Sequence, residues 1–283
     1  MIKEWIDTYH PANKDQASQA LREIMQEIAL AGLERSGFFE KAAFYGGTAL
    51  RIFYGLNRYS EDLDFSLLQP DEHFSLDKHL VSIQTEFESL GMHVTVKEKE
   101  KTLKNNIGSA FLKADTLWKE LVLENVISQN GLDQKPNIKI KLEVDTNPPQ
   151  GFETEERLLL NPFSFYVKCF TAQDLFAGKM HALLFRKWKT NVKGRDWYDM
   201  EWYIKKGMHL HLSHFVQRAR NSGDWQKDTI SQNEFMQLLD HKINTVSMVR
   251  VKADIIRFIP NPSVLDIWSP AYFHDLVRQL VFV

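Results

Sequence analysis

Two aspartates separated by one leucine, Asp62 and Asp64, are the residues of this chain best suited to chemistry. In an extended strand, residues i and i+2 point to the same side and lie about 6.6 Å apart. Mg²⁺ is usually held by one or two carboxylates together with substrate phosphates. The pair therefore predicts a site for one or two Mg²⁺ ions, or Mn²⁺ in their place. A polar strand face without a metal is the alternative interpretation.

A glycine turn formed by Gly46, Gly47 and Thr48 precedes the aspartates and leads into a predicted helix. Glycine reaches backbone angles that other residues avoid and lets a ligand approach the main chain. Backbone N–H groups at a helix N-terminus favour phosphate. The glycines alone fit a tight turn equally well, but their combination with the aspartates favours a phosphate-binding turn. Ser60, two residues before Asp62, is placed either to bond a phosphate or to cap the turn.

A third carboxylate for a metal site is offered by the segment 137–145, NIKIKLEVD. Its strict alternation predicts a strand with Lys139, Lys141, Glu143 and Asp145 on one face. Two-metal phosphoryl chemistry needs a further anionic ligand. Glu143 is the first candidate and Asp145 the second, although periodicity alone does not choose between them. A charged strand face without a metal is again the alternative interpretation.

Two predicted helices in the second half of the chain carry further charged candidates. Residues 171–188 place Lys179 within an apolar stripe, with Arg186 nearly in line two turns later, and both are candidates for binding a nucleotide. Lys179 either extends its amine into water or is partly desolvated and directed at an anion. Asp196 and Asp199 lie on one side of the next helix. The helix dipole explains Asp196 without a function, whereas Asp199 is the better candidate for a general base or a partner of Lys179.

Hydrophobic periodicity predicts the elements that must position these residues. Helices are predicted at 15–36, 48–56, 75–91, 171–188, 196–206, 212–222, 231–244 and 270–280. Strands are predicted at 41–45, 62–67, 92–99, 107–115, 137–145 and 165–170. A boundary near residue 165 therefore divides an α/β domain, residues 1–165, from a mostly helical C-terminal domain, residues 166–283.

Composition narrows the class of protein. The net charge of −2 excludes a strongly basic, dedicated nucleic-acid binder, although the cluster 186–195 is basic and contains no acidic residue. Cys169 is the only cysteine, which excludes an internal disulfide framework and favours the reducing cytoplasm. No segment approaches the roughly 18 apolar residues of a membrane span, and the N-terminus does not resemble a signal peptide.

Four stretches taken together resemble the AbiEii-type nucleotidyltransferases, the toxins of AbiE toxin–antitoxin systems. They are GGTALRIFYGLNRYSEDLDF, IKLEVD, DLFAGKMHALLFR and KGRDWYDMEWY, between about residues 44 and 204. The resemblance implies an α/β (α+β) nucleotidyltransferase-superfamily fold. In that fold a mixed sheet with helices is followed by a mostly helical part that completes the active site.

The resemblance also implies roles for single residues. The glycine turn 46–48 would hold the phosphates of an NTP, Asp62 and Asp64 would bind Mg²⁺, and Ser60 would contact the nucleotide. Lys179 would engage the triphosphate or the leaving group. Asp199, with Asp196 as the competing choice, would act as the base.

The implied reaction is attack by an acceptor hydroxyl on the α-phosphorus of an NTP, releasing pyrophosphate. The acceptor would be RNA, with the 3′ end of tRNA as the leading candidate, and the toxin would have a cognate antitoxin and serve in phage defence. One alternative keeps the fold but transfers the nucleotide to a protein hydroxyl. Another is a non-catalytic nucleotide-binding module, although clustered aspartates that repel one another have little use in a purely binding fold.

Overall fold

The computed structural model describes residues 2–97, 116–123, 138–186 and 192–283. These residues fall into two compact units. Unit 1 contains residues 1–49, 60–148 and 155–169, and unit 2 contains residues 50–59, 149–154 and 170–283. The start of the last segment is close to the boundary predicted near residue 165, but two shorter segments also belong to unit 2. The strand predicted at 107–115 and the end of the one at 92–99 lie outside the described residues.

Seven strands of the described residues form the mixed sheet of unit 1, which confirms the predicted fold class. The strands are β1 Ala42–Tyr45, β2 Leu63–Leu67, β3 Val94–Lys97, β4 Thr116–Leu123, β5 Ile138–Asp145, β6 Thr154–Leu159 and β7 Phe165–Phe170. Along the sheet they are ordered β3-β4-β5-β2-β1-β7-β6. The central pairs β2–β5 and β1–β7 are parallel, whereas β1–β2 and β4–β5 are antiparallel.

The alternation seen in the sequence explains the two strands that carry the candidate carboxylates. In β5 the apolar residues Ile140, Leu142 and Val144 are buried, and the charged residues between them are more exposed. In β2, Leu63 and Phe65 are fully buried on the opposite face from the aspartates. Burial of the apolar face stabilises the sheet and holds the polar face in a fixed direction.

Helices of unit 1 cover this sheet and lead into it. α1 spans Ile2–Thr8, α2 spans Lys14–Arg35 and α4 spans Asp77–Ser89, while α3, Gly46–Tyr54, begins in unit 1. The predictions of α2, α3 and α4 are confirmed to within a few residues. α1 was not predicted; it spans only seven residues, and none of them is buried.

Unit 2 is mostly helical, as predicted. The aromatic rings of Phe176 and Tyr203 stack in its core, with ring centroids 4.3 Å apart. A small parallel sheet pairs β8, His209–Leu210, with β9, Val281–Phe282. The helices are α5 Ala172–Phe185, α6 Gly194–Lys205, α7 Leu212–Asn221, α8 Gln232–Thr245, α9 Met248–Ile255 and α10 Pro270–Val277.

No helix in the described part of the chain is long and apolar enough to cross a membrane.

Some further elements were not predicted from the sequence. α9 was missed because only Val251 and Ile255 are buried among its eight residues. β4 and β6 were missed because charged residues interrupt their alternation.

Candidate active site

The glycine turn and Asp64 are in direct contact in unit 1. α3 begins at Gly46 immediately after β1 ends, and Tyr45 is paired with Asp64 across the antiparallel β1–β2 ladder. Gly46 has φ +85°, and a Cβ atom on it would lie 2.3 Å from Oδ2 of Asp64. Only glycine therefore allows the carboxylate to lie against the turn. The predicted phosphate-binding turn and the predicted metal ligands are brought together.

Thr48 joins this turn to the loop that precedes β2. Its buried hydroxyl hydrogen-bonds the Ser60 hydroxyl at 2.9 Å and forms a shorter hydrogen bond to the main-chain oxygen of Asp62. The contact supports the interpretation of Ser60 as a residue that fastens the turn. Its contact with a nucleotide stays a prediction.

Gln26, which the sequence reading did not single out, holds the same loop from the side of α2. Its buried side-chain amide donates hydrogen bonds to the main-chain oxygens of Ser60, at 3.2 Å, and Glu61, at 3.1 Å. Buried polar groups are normally hydrogen-bonded. A glutamine within the apolar stretch of α2 was the sequence signal that could have identified it.

The register between β2 and β5 separates the two candidates for a third carboxylate. Asp64 is paired with Glu143, whereas Asp145 is paired with Ser66. Paired residues on neighbouring strands, about 4.8 Å apart, point to the same face of a sheet. Glu143 is therefore the carboxylate beside Asp64, and it forms an ion pair with Lys141.

The donor set of unit 1 fits Mg²⁺ that arrives with a nucleotide. Among the described residues, no three His, Cys, Asp or Glu side chains converge as a preformed metal centre. Asp62 and Asp64 offer carboxylates from alternate positions beside a glycine turn, and Glu143 lies next to Asp64. One or two carboxylates are enough for Mg²⁺ when substrate phosphates and water complete the shell.

The other four predicted site residues form one charge cluster in unit 2, in which both aspartates are buried. The Lys179 amine lies 3.1 Å from Asp196 and 2.9 Å from Asp199, and Arg186 lies 3.0 Å from Asp196. Arg58 donates two hydrogen bonds of 2.6 Å to Asp199, one to each carboxylate oxygen. Lys179 is thus held between carboxylates and does not extend into water.

The charges of this cluster keep both aspartates ionised. Burial alone would raise the pKa of Asp199, but the neighbouring Arg58 and Lys179 outweigh it and lower the pKa to about 2. The pKa of Asp196 is also lowered, because Lys179 and Arg186 outweigh its burial. A carboxylate with such a low pKa is a weak base. These contacts give Asp199 the role of a counter-ion, and its role as base stays a prediction.

Arg58 is the second residue whose importance the sequence did not reveal. Its side chain is only 2% exposed and its partner Asp199 is fully buried. A buried guanidinium needs such a partner because an unpaired charge in a protein interior is costly. The pairing joins positions far apart in sequence, so no local pattern could have predicted it.

Comparisons with a family model and with solved structures relate the chain to known proteins. A family model described as "Nucleotidyl transferase AbiEii toxin, Type IV TA system" matches residues 28–270. The crystal structure of JHP933 from Helicobacter pylori is 14% identical, with a TM-score of 0.44 over 92% of this chain and 94% of that one. A candidate nucleotidyltransferase from H. pylori is also 14% identical, with a TM-score of 0.43 over 91% and 95%.

No curated protein matches the chain significantly. The family model, however, spans well over half of the sequence and includes the glycine turn, Asp62, Asp64 and the charge cluster. The protein therefore belongs to the AbiEii toxin family of type IV toxin–antitoxin systems, and it is a nucleotidyltransferase.

Proposed function

We propose that the protein transfers a nucleoside monophosphate from an NTP to a hydroxyl of RNA, with the 3′ end of tRNA as the first candidate. The reaction depends on Mg²⁺ and takes place in the cytoplasm. The protein acts as a toxin in phage defence, and a cognate antitoxin neutralises it. The observation that carries this proposal is the contact between the Gly46 turn and the Asp64 carboxylate. A phosphate-binding turn and a metal-binding carboxylate are adjacent there, as phosphoryl transfer requires.

Asp62 and Asp64 hold the metal in this proposal, and Glu143 is the third ligand ahead of Asp145. The register that places Glu143 beside Asp64 supports this order. When bound, Mg²⁺ would neutralise phosphate charge and activate the acceptor hydroxyl. The N–H groups of the first turn of α3, at Gly47 and Thr48, bind phosphate because they have no partners within the helix.

The reaction forms a bond between the acceptor oxygen and the α-phosphorus and breaks the bond from that phosphorus to the bridging oxygen. Pyrophosphate leaves, and the acceptor hydroxyl loses its proton. Lys179 and Arg186 are proposed to offset the negative charge of the triphosphate. Asp199 or Asp196 stays the proposed base, although the ion pairs of both residues favour a supporting role. Such positioning and charge compensation provide most of the catalysis in phosphoryl transfer.

RNA is favoured as the acceptor by the basic cluster 186–195, which contains no acidic residue. Lysine and arginine side chains supply the affinity of most proteins for a phosphate backbone. Lys187 to Asn191 of this cluster lie outside the described residues.

Labelled nucleotide distinguishes the acceptors directly. The full-length protein is incubated with Mg²⁺, total cellular RNA and each α-labelled NTP in turn, beside Asp62→Asn and the control Asp15→Asn, an exposed aspartate in the first turn of α2. We expect label in a tRNA-sized band with wild type and control, and a loss of more than about 100-fold in Asp62→Asn. Label on protein would make a polypeptide the acceptor. NTP binding without transfer to any acceptor would favour the non-catalytic module and contradict the proposal.

A further inference from the structure

A cavity with charged side chains in its walls lies wholly within unit 2. It has a volume of about 70 Å³ and is lined by residues of α5, α6 and α8 and of the segment just before α6. Its walls are apolar except for four charged side chains, which are Arg186, Lys193, Lys242 and Asp196. Among the described residues that line it, three cations therefore face one carboxylate.

The single carboxylate is already engaged. The two oxygens of Asp196 form ion pairs with Lys179, at 3.1 Å, and with Arg186, at 3.0 Å. The Lys193 side-chain amine makes no hydrogen bond or ion pair with any residue that the structure describes. The Lys242 amine donates one hydrogen bond of 3.3 Å, to the main-chain oxygen of Leu184. Two ammonium groups thus line the cavity without a carboxylate of their own.

This arrangement disfavours the charged form of Lys193. Burial is the main cause, the charge of Arg186 adds to it, and together they lower the pKa of Lys193 to about 8. Burial also lowers the pKa of Lys242. An oxyanion in the cavity would offset the repulsion between these cations and supply the acceptors that their N–H groups lack.

We propose that this cavity binds one phosphate group through Lys193 and Lys242, with Arg186 at its edge. A tetrahedral oxyanion suits the cavity because lysine ammonium groups bind phosphate as point charges and arginine adds directed donors. The phosphate belongs either to the triphosphate of an NTP or to the backbone of an acceptor RNA. The choice between these two sources rests on the proposed function, but the phosphate site itself does not.

Pyrophosphate, titrated into the full-length protein with EDTA present, tests the site without metal or catalysis. The side-chain NMR signals of Lys193 report its pKa, and calorimetry reports the affinity. We expect pyrophosphate to raise the pKa of Lys193, and Lys193→Gln and Lys242→Gln to weaken binding at least tenfold. Lys193→Arg should restore most of the affinity. Lys227→Gln is the matched control, because Lys227 is an exposed lysine of the same unit that pairs with Glu234.

The pyrophosphate titration decides whether the phosphate site exists. If pyrophosphate leaves the titration of Lys193 unchanged and Lys193→Gln binds it as tightly as wild type, the site does not exist. Because this experiment needs no turnover, it can succeed even where the transfer assay fails and the proposed function is wrong.

The source of the phosphate follows from steady-state kinetics of Lys193→Gln. A tenfold higher KM for the NTP, with the KM for RNA unchanged, would assign the cavity to the triphosphate. The reverse result would assign it to the RNA backbone. Unchanged KM values for both substrates would overturn the claim that the cavity serves this reaction.

Discussion

The aspartate pairs of the two units differ in their exposure to solvent and in the positively charged side chains around them. Asp62 and Asp64 in unit 1 are partly exposed beside a glycine turn, whereas Asp196 and Asp199 in unit 2 are buried among Arg58, Lys179 and Arg186. A metal ion can reach the first pair from solution because its carboxylates are partly exposed, whereas the second pair is buried and is neutralised by these three cations. The same residue type is therefore accessible in unit 1, where we propose that it binds a metal ion, and is paired with buried cations in unit 2.

The largest effect should come from breaking the buried ion pair of unit 2. Arg58→Met removes the guanidinium that bonds both carboxylate oxygens of the buried Asp199. Removing one member of a buried pair costs about 3–5 kcal/mol of unfolding free energy. Chemical denaturation monitored by circular dichroism measures this loss.

The matched control is Arg35→Met in unit 1. Arg35 also forms a 2.6 Å ion pair, with the buried Glu86, but its own side chain is 55% exposed. Fully exposed pairs contribute about 0–1 kcal/mol, and because water reaches the Arg35 guanidinium we expect a smaller loss than in Arg58→Met. Equal losses in the two variants would contradict the distinction between buried and accessible charges.

The next effect tests the contact between the turn and Asp64. Gly46→Ala places a Cβ atom 2.3 Å from the Asp64 carboxylate, whereas Gly55→Ala, at a similar φ of +76°, meets no atom within 4 Å. Both variants bear the strain of a positive φ, about 1 kcal/mol. We expect Gly46→Ala alone to lower kcat/KM for the NTP, by about 100-fold, or about 2.7 kcal/mol. Similar kinetics in both variants would show that the contact is unimportant.

A buried carboxyl in unit 1 should give the opposite pH dependence to that of unit 2. Burial and the charge of Glu23 raise the pKa of Glu27 to about 8. Above about pH 4.5 the Glu27 carboxyl therefore keeps its proton in the folded state, whereas it has lost this proton in the unfolded state. Stability falls as pH rises from there to about 8, by up to about 1.4 kcal/mol per pH unit. Glu27→Gln should flatten this part of the profile, and thermal unfolding between pH 5 and 9 measures it.

Asp199 provides the contrasting case. Its pKa is lowered to about 2, so the stability that it contributes is present above about pH 4 and is lost as pH falls towards 2. A profile of Glu27→Gln that still declines between pH 5 and 8 would contradict the assignment to Glu27.

The smallest effect concerns the loop that carries Ser60 and leads to Asp62. Gln26→Leu removes both hydrogen bonds to this loop while keeping the apolar packing of α2. We expect a stability loss of about 1–2 kcal/mol and a several-fold lower kcat. Gln26→Glu removes the donors at nearly constant size. An unchanged kcat in both variants would exclude a positioning role.

Local features of the fold could be predicted from the sequence, whereas pairings between distant segments could not. Alternation identified β2 and β5 because one face of each strand is buried and the other is polar. Alternation within a strand does not show how that strand is aligned with its neighbour. The choice between Glu143 and Asp145 therefore required the observed pairing of β5 with β2. Arg58, which binds both carboxylate oxygens of Asp199, lies 141 residues away from it, and only the folded chain reveals this pairing.

The most direct test of the account is metal binding at the β2 carboxylates. Mn²⁺ is titrated in the presence of an α,β-methylene NTP and followed by electron paramagnetic resonance, for wild type, Asp64→Asn, Glu143→Gln and Asp15→Asn. We expect nucleotide-dependent Mn²⁺ binding that is lost in Asp64→Asn, weakened in Glu143→Gln and retained in Asp15→Asn. Undiminished binding in Asp64→Asn would contradict the claim that the carboxylates beside the glycine turn hold the metal.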